Sequence, residues 1–198
     1  MSTLDVTERT RVRRGPKKAS YDRDTIYSIL DEAFVCHIGA TMHNTAAVQP
    51  NFHWRIGDRL YVHGSSKNGL FQSIIRGETT CITVTLLDGL VFAKSAFHHS
   101  ANFRSVMLYG EGTVVEDPEE KLYALDQMLE KFSPGRAAEA RTPNDTEMKA
   151  TVVISFPIDE ASAKIRTGPP VDDEEDLDYP TWSGVKPVST VIGELIPN

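Results

Sequence analysis

Little in this chain marks a secreted or membrane-spanning protein. It has two cysteines, Cys36 and Cys81, in separate apolar runs. Two isolated thiols exclude a disulfide framework and a cysteine-rich metal spacing, and they suit a reducing compartment, so a cytoplasmic location is expected. No window approaches the roughly 18 consecutive apolar residues of a membrane span. The first residues lack the apolar stretch of a signal peptide or anchor. Positive charge is also short: 21 Lys and Arg stand against 28 Asp and Glu, a net of −7, which argues against a general nucleic-acid binder. The basic charge collects early, at Arg9, Arg11, Arg13, Arg14, Lys17 and Lys18, and the acidic charge late, from Asp172 to Asp178. The basic segment reads as a solvated tail or as an arm that wraps a partner subunit, ahead of one that touches phosphate. No internal repeat appears, and 198 residues suffice for one substantial domain.

What is present is a succession of strand patterns. After a basic arm (1–20), Ile26, Ile29, Leu30 and Ala33 share one face of a helix capped by Ser20 or Asp22. Strands follow over 34–40, 46–55 and 60–63, separated by turns at His43-Asn44 and Ile56–Arg59. Pro50 cannot donate to a ladder and predicts an edge or a bulge. His37, alone on its strand, reads as structural. Thr79–Leu86 alternates, with Cys81, Thr83 and Thr85 on one face and Ile82, Val84 and Leu86 on the other. Asp88-Gly89 between apolar runs predicts a tight hairpin turn, with Val91–Ala93 returning as the next strand. Val106–Val115 is expected to be a long strand curved at Gly110 and Gly112. Asp117-Pro118 opens a helix with Leu122, Leu125, Leu129 and Phe132 as its buried stripe. A short helix follows Thr142-Pro143, and Thr151–Ile158 is a strong strand. Six or seven mostly hairpin-linked strands with inserted helices predict a mainly β fold, an antiparallel barrel with peripheral helices.

Two stretches carry polar side chains in excess of what a core needs. In His63-Gly64-Ser65-Ser66-Lys67-Asn68, a strand passes through a Gly/Ser/Lys turn into a helix. Backbone N–H groups, hydroxyls and an ammonium then converge where a phosphate could be held. The same residues equally fit a serine-capped helix beside a solvated lysine, and the spacing is not that of a Walker loop. The second stretch, Ser95 to Ser105, mixes His98, His99, Ser100, Asn102 and Arg104. It suits either a solvated loop or a wall that hydrogen-bonds an anionic ligand. His98 and His99 do not form a metal pair by themselves, because neighbours on an extended chain point to opposite faces.

In order along the chain, L-Y-V-H-G-S-S-K (60–67), V-T-L-L-D-G-L-V-F-A-K-S-A-F-H-H-S-A-N-F-R-S-V (84–106), P-G-R (134–136), S-A-K-I-R-T-G-P-P (162–170) and W-S-G-V-K-P (182–187) resemble the flavin-nucleotide-binding, nitroimidazole-reductase-like branch of the pyridoxamine 5′-phosphate oxidase-like superfamily. The resemblance spans roughly residues 13–196. It implies a split β-barrel over 21–160 with a C-terminal extension over 161–198 packed on the barrel or on a partner. It also implies a homodimer with FMN sites across the subunit interface. The turn His63, Gly64, Ser65, Ser66, Lys67, Asn68 would grip the cofactor phosphate. Relatives often carry Ser-Arg where this chain has Asn68-Gly69, so Lys67 would have to supply the missing cation. Val48, Gln49 and Pro50, with Thr83 and Val84, would lie along the flavin ring. Ser95, His98, His99, Ser100, Asn102 and Arg104 would complete the pocket, and Lys164, Arg166 and Trp182 match the C-terminal motifs without an assigned contact.

The expected function is an FMN-dependent oxidoreductase acting on a small planar substrate, with FAD as the other flavin. The cofactor would do the electron transfer, so no protein nucleophile is required, and no Ser/His/Asp constellation is evident. The alternative is a flavin- or haem-handling protein on the same barrel, which the six histidines keep open. A true pyridoxamine phosphate oxidase would need a more basic substrate-phosphate pocket. No membrane or nucleic-acid partner is expected.

Overall fold

The computed structural model describes residues 2–197. The elements are, in order, β1 (Ala19–Ser20), α1 (Arg23–Glu32), β2 (Val35–Met42), β3 (Thr45–Ile56), β4 (Arg59–Ser65), α2 (Gly69–Ile75), β5 (Thr80–Phe92) and β6 (Ser100–Gly110). Then come β7 (Thr113–Val114), α3 (Pro118–Phe132), α4 (Arg136–Glu139), α5 (Asp145–Ala150), β8 (Thr151–Pro157), β9 (Ala161–Arg166) and β10 (Gly184–Pro187). The strands join as β1-β9-β6-β5-β2-β3-β4-β8-β7, with β10 added beside β5, and every pairing is antiparallel.

The sheet divides along β3. Its first part pairs with β2 from Thr45 to Phe52, and its last part pairs with β4 from His53 to Ile56. This is a split barrel, as the resemblance implies. Pro50 lies opposite His37 in the stretch of β3 that has only one strand neighbour, so its missing N–H breaks no ladder on the open side. Asn51 compensates there by donating its side-chain amide to the His63 carbonyl at 3.1 Å.

Burial follows the period-2 pattern. Cys36, Ile38, Leu60, Val62, Ile82, Val84, Val106 and Leu108 point into the barrel with Phe71, Ile154 and Phe156. Helix α1 closes one end, with Ile26, Ile29 and Leu30 buried and Asp22 accepting from the Thr25 N–H at 2.9 Å as its N-cap. Gly112 is required where the chain crosses this core: a Cβ there would sit 2.5 Å from Ile74 and 2.6 Å from Ile154. A smaller cluster of Trp54, Tyr61, Val115, Ala124 and Val153 fills the space beneath α3. No helix among the described residues is long and apolar enough to cross a membrane.

Four expectations change. Asp88-Gly89 is not a hairpin turn. β5 runs through it as one strand of 13 residues, with an irregular register between Leu87 and Gly89. The reversal lies later, in the single 3-10 turn Ala96–His98. The glycine is needed instead for the approach of β10, since a Cβ at Gly89 would meet Val185 at 3.0 Å and the Lys186 carbonyl at 3.2 Å. The basic arm is packed rather than loose: Leu4 and Thr10 are buried, and β1 pairs with β9. Residues 161–166, expected in the C-terminal extension, form β9 between β1 and β6. The α3 stripe is half-buried rather than buried. Only Ala124 is fully covered, and Phe132 remains 47% exposed.

Candidate functional site

The expected ring-binding residues are brought together by sheet register. Pairing places Pro50, His37, Thr83 and Met107 in one row across β3, β2, β5 and β6. The neighbouring row contains Val48, Gly39, Cys81 and Tyr109. Both rows lie on the outer face, opposite the core-facing Ile38, Ile82 and Leu108. Gly39 leaves a shelf between Val48 and Cys81, where even a Cβ would lie 3.8 Å from Val48 and 3.5 Å from the Cys81 carbonyl. His37 joins this shelf and is exposed. Its own strand carries no signal for that position; its shared face with Pro50 and Thr83 does. Val84 is a correction: its side chain is 1% exposed inside the barrel, so only its backbone can reach the outer face.

The turn expected to hold a phosphate begins at Ser65, and Asn68, not a serine, caps α2. The Asn68 Oδ1 accepts from the Leu70 and Phe71 N–H groups at 2.9 and 3.2 Å, while its amide donates to Gln49 Oε1 at 3.0 Å. The first free amides of α2 are therefore already satisfied, a difference from the expectation of N–H groups aimed at an anion. The Ser66 N–H donates to the Ala150 carbonyl and the Lys67 N–H to Ser65 Oγ. The anion-binding groups left are the Ser65 and Ser66 hydroxyls and the Lys67 ammonium, which makes no hydrogen bond or ion pair among the described residues. Gly64 is fixed by packing, since a Cβ would press to 2.9 Å of the Phe71 ring.

His63 precedes that turn in β4. Its ring points away from the core-facing Val62, lies 5.8 Å from the Trp54 ring, and lines a cavity of about 340 Å³ beneath α3. Leu125, Met128, Leu129 and Met148 give the cavity an apolar part, and Asp126, Thr142 and the ion pair of Arg141 with Glu147 give it a polar one. Burial holds the His63 imidazole below its ordinary pKa, and its Nδ1 is buried with no hydrogen-bond partner. Trp54 Nε1, on the same face, is likewise buried and unpartnered. Trp54 does not line the cavity, so of these two groups His63 alone can meet a ligand there.

The residues after β5 form a second group. The Ser95 hydroxyl accepts from the Phe97 N–H at 3.3 Å. His98 Nε2 is 3.0 Å from an Asp173 carboxylate oxygen, which, with Asp172 and Asp176 nearby, raises the imidazole's pKa. His99 and Trp182 both pack on Phe92, at 5.7 and 4.9 Å between ring centres. Arg166 donates to Asn102 Oδ1 and to the Pro169 carbonyl, and the Asn102 amide donates to the Gly168 carbonyl at 3.1 Å. Of these, His98, His99 and Arg166, with Ser100 and Lys18, edge a cavity of about 420 Å³. Lys164 sits on β9 opposite Ser105, whose hydroxyl donates to its carbonyl at 3.2 Å. Arg104 does not offer a free cation. It grips Glu32 and Asp88 together, and these carboxylates hold the guanidinium well above its usual pKa. No hydrogen bond among the described residues joins this group to the Ser65–Asn68 turn.

These features have counterparts in known proteins. The family model described as pyridoxamine 5′-phosphate oxidase matches residues 22–165. The flavocytochrome Anf3 from Azotobacter vinelandii is 42% identical, with a TM-score of 0.93 over 97% of this chain and 89% of that one. An FAD- and haem-binding protein from Mycobacterium smegmatis is 32% identical, with a TM-score of 0.87 over 91% of this chain and 89% of that one. A protein put forward as a 5-nitroimidazole antibiotic resistance protein, from Bacteroides thetaiotaomicron, is 26% identical, with a TM-score of 0.63 over 74% of this chain and 86% of that one. No curated protein sequence matches. The chain therefore belongs to the pyridoxamine 5′-phosphate oxidase family.

Proposed function

We propose that this protein is a flavin-dependent redox protein that carries haem as a second group, with the flavin nucleotide at the Ser65–Asn68 turn and the haem at His63. The observation that carries the second half is the half-buried His63 imidazole at the cavity beneath α3, with its buried Nδ1 unpartnered. A neutral imidazole in an apolar pocket is the donor that haem iron takes. Two relatives with substantial identity support the pairing: one is a flavocytochrome and the other binds FAD and haem. The sequence alone pointed to FMN with haem as the lesser choice. The Mycobacterium smegmatis relative binds FAD, and the same turn can hold a phosphate of either nucleotide.

Bound flavin supplies hydride and single-electron chemistry, and bound haem supplies single-electron exchange. The protein's share is binding and placement. The Lys67 ammonium and the Ser65 and Ser66 hydroxyls neutralise and orient a phosphate. The Gly39 shelf, with Val48, Pro50, His37 and Thr83 around it, gives a flat ring a surface free of bulky side chains. β4 links the two sites, since His63 and Ser65 are two residues apart on one strand. The Ser95–Asn102 and Arg166 group closes the flavin site from a second copy of the chain, where a small planar substrate meets the ring. The exposure of Phe97 (88%) and Val48 (69%) supports such a partner surface.

Titration of the purified chain with FMN, FAD and haemin separates the two halves. Flavin fluorescence should be quenched, and a sharpened Soret band should appear with haemin. Lys67→Ala should weaken the first alone, and His63→Ala the second alone. Unchanged haemin binding in His63→Ala, or no flavin quenching in the wild type, contradicts the corresponding half.

A further inference from the structure

At the edge of the Ser95–Asn102 group, one cluster combines an imidazole with carboxylates drawn from distant parts of the chain. The ligand atoms of His98, Asp173 and Asp176 all lie within 4.8 Å of one another. Local spacing could not reveal this, because His98 and Asp173 are 75 residues apart.

The scaffold that holds the cluster is built mainly from other groups. The Asp172 carboxylate accepts from the Lys94 N–H at 2.8 Å and the Ser95 N–H at 3.3 Å. The Lys94 ammonium donates to the carbonyls of Tyr179 and Thr181 at 2.9 and 3.0 Å. The acidic segment is thus stitched on both sides of Glu174–Asp176 to the connection between β5 and β6. Within it, a single 3-10 turn over Glu174–Asp176, closed by the Asp176 N–H to the Asp173 carbonyl at 3.0 Å, carries Asp173 to Asp176. Three residues per turn eclipse positions i and i+3, so these two carboxylates face the same way; Asp176 is half-buried, and Asp173, like Glu174 and Glu175, is exposed.

That arrangement places two like charges beside one imidazole. Among the described residues, no Lys or Arg side chain bonds either carboxylate, and His98 is the single partner of Asp173. Two carboxylates and an imidazole, fixed by contacts that do not depend on them, form the donor set of a borderline divalent ion. The nitrogen ligand favours zinc-like ions over calcium or magnesium, which prefer all-oxygen shells.

We propose that His98, Asp173 and Asp176 bind one divalent transition-metal ion, which fastens the acidic 172–178 segment to the β5–β6 connection. Solvent completes the coordination shell. His98 also edges the cavity that holds His99, Arg166 and Lys18, so the ion steadies one wall of that cavity. This inference is independent of the flavin and haem assignments.

The test uses the full chain freed of metal by a chelator. Zn²⁺ is titrated calorimetrically, and Co²⁺ by its visible ligand-field absorption. One ion per chain is expected. Removing one ligand in His98→Gln or Asp176→Asn should weaken binding at least about tenfold, the lower end for disturbing a metal shell. Glu175→Gln, one residue away but outside the cluster, should bind as the wild type does. Zn²⁺ should also slow proteolysis of the 172–182 segment in the wild type and not in His98→Gln. A His98→Gln chain that binds undiminished, or Glu175→Gln weakened as much as Asp176→Asn, overturns the site, since diffuse acidic attraction then suffices. Absence of saturable binding overturns it too, and binding without protection overturns the fastening role.

Discussion

Protonation of His53 should be a major acid-labile element of this fold. The side chain is 0% exposed where β3 begins to pair with β4. Its Nε2–H donates to the Leu30 carbonyl at the end of α1, at 3.0 Å. The same carbonyl accepts from the Lys131 ammonium at 3.0 Å, so α3 and β3 both tie down the C-terminus of α1. Nδ1 is left as a buried lone pair with no partner. A second proton would create a buried charge near an ammonium, and burial first, then Lys131, holds the His53 pKa at about 4. The unfolded chain titrates at about 6.5, so it binds the proton more readily. The resulting stability is complete above pH 6.5, falls as the pH drops toward 4, and is absent below that. Between pH 7 and 4.5 the loss should be about 2 kcal/mol. Urea unfolding of the wild type and His53→Gln across this range tests it, the glutamine amide being able to keep the bond to Leu30. The wild-type midpoint should move about 1 M further than the variant's. Parallel pH profiles for the two proteins would refute the reasoning.

Other outcomes follow from single contacts. Gly112→Ala should destabilise by about 1–3 kcal/mol through overpacking against Ile74 and Ile154, read from the thermal midpoint. Lys67→Ala should weaken flavin binding by about 1–3 kcal/mol, with Lys67→Arg recovering part of it, measured by fluorescence titration. Gly89→Val should displace β10 from β5 and raise amide exchange across 184–187, leaving the β5–β6 pairing intact. Burial holds Lys131 near a pKa of about 8. The wild type should therefore gain stability over Lys131→Met as the pH rises from 8 toward 10.5, because the folded side chain loses its proton first.

The strands of the barrel were legible because its core side chains alternate, and α1 because its apolar residues recur at helical spacing. Asp88-Gly89 misled for a physical reason. The pair that makes a tight turn also makes a strand irregularity, and only tertiary neighbours distinguish them: here Arg104 on Asp88 and β10 over Gly89. The turn residues Ser65 to Lys67 were found from their types. Asn68 as the cap was not, because Ser, Asn and Gly in a row all fit the position. His63 is the deeper case. Its place beside the turn in sequence suggested a shared role, but its ring meets a cavity built by α3 and the segment around Met148, which lie far along the chain. His37 was passed over because one histidine on a strand carries no local signal. Its meaning comes from lateral register with Pro50 and Thr83, which no window of sequence contains. The His98–Asp173 contact depends on a chain reversal of the same long-range kind.

A crystal structure of the protein grown with FAD or FMN tests the central assignment most directly. The phosphate nearest the isoalloxazine should lie against Ser65, Ser66 and Lys67, with the ring over Gly39 between Val48 and Thr83 and a second copy's Ser95–Asn102 segment closing it. Flavin bound elsewhere, with Lys67 in open solvent and the Gly39 shelf bare, would contradict the account.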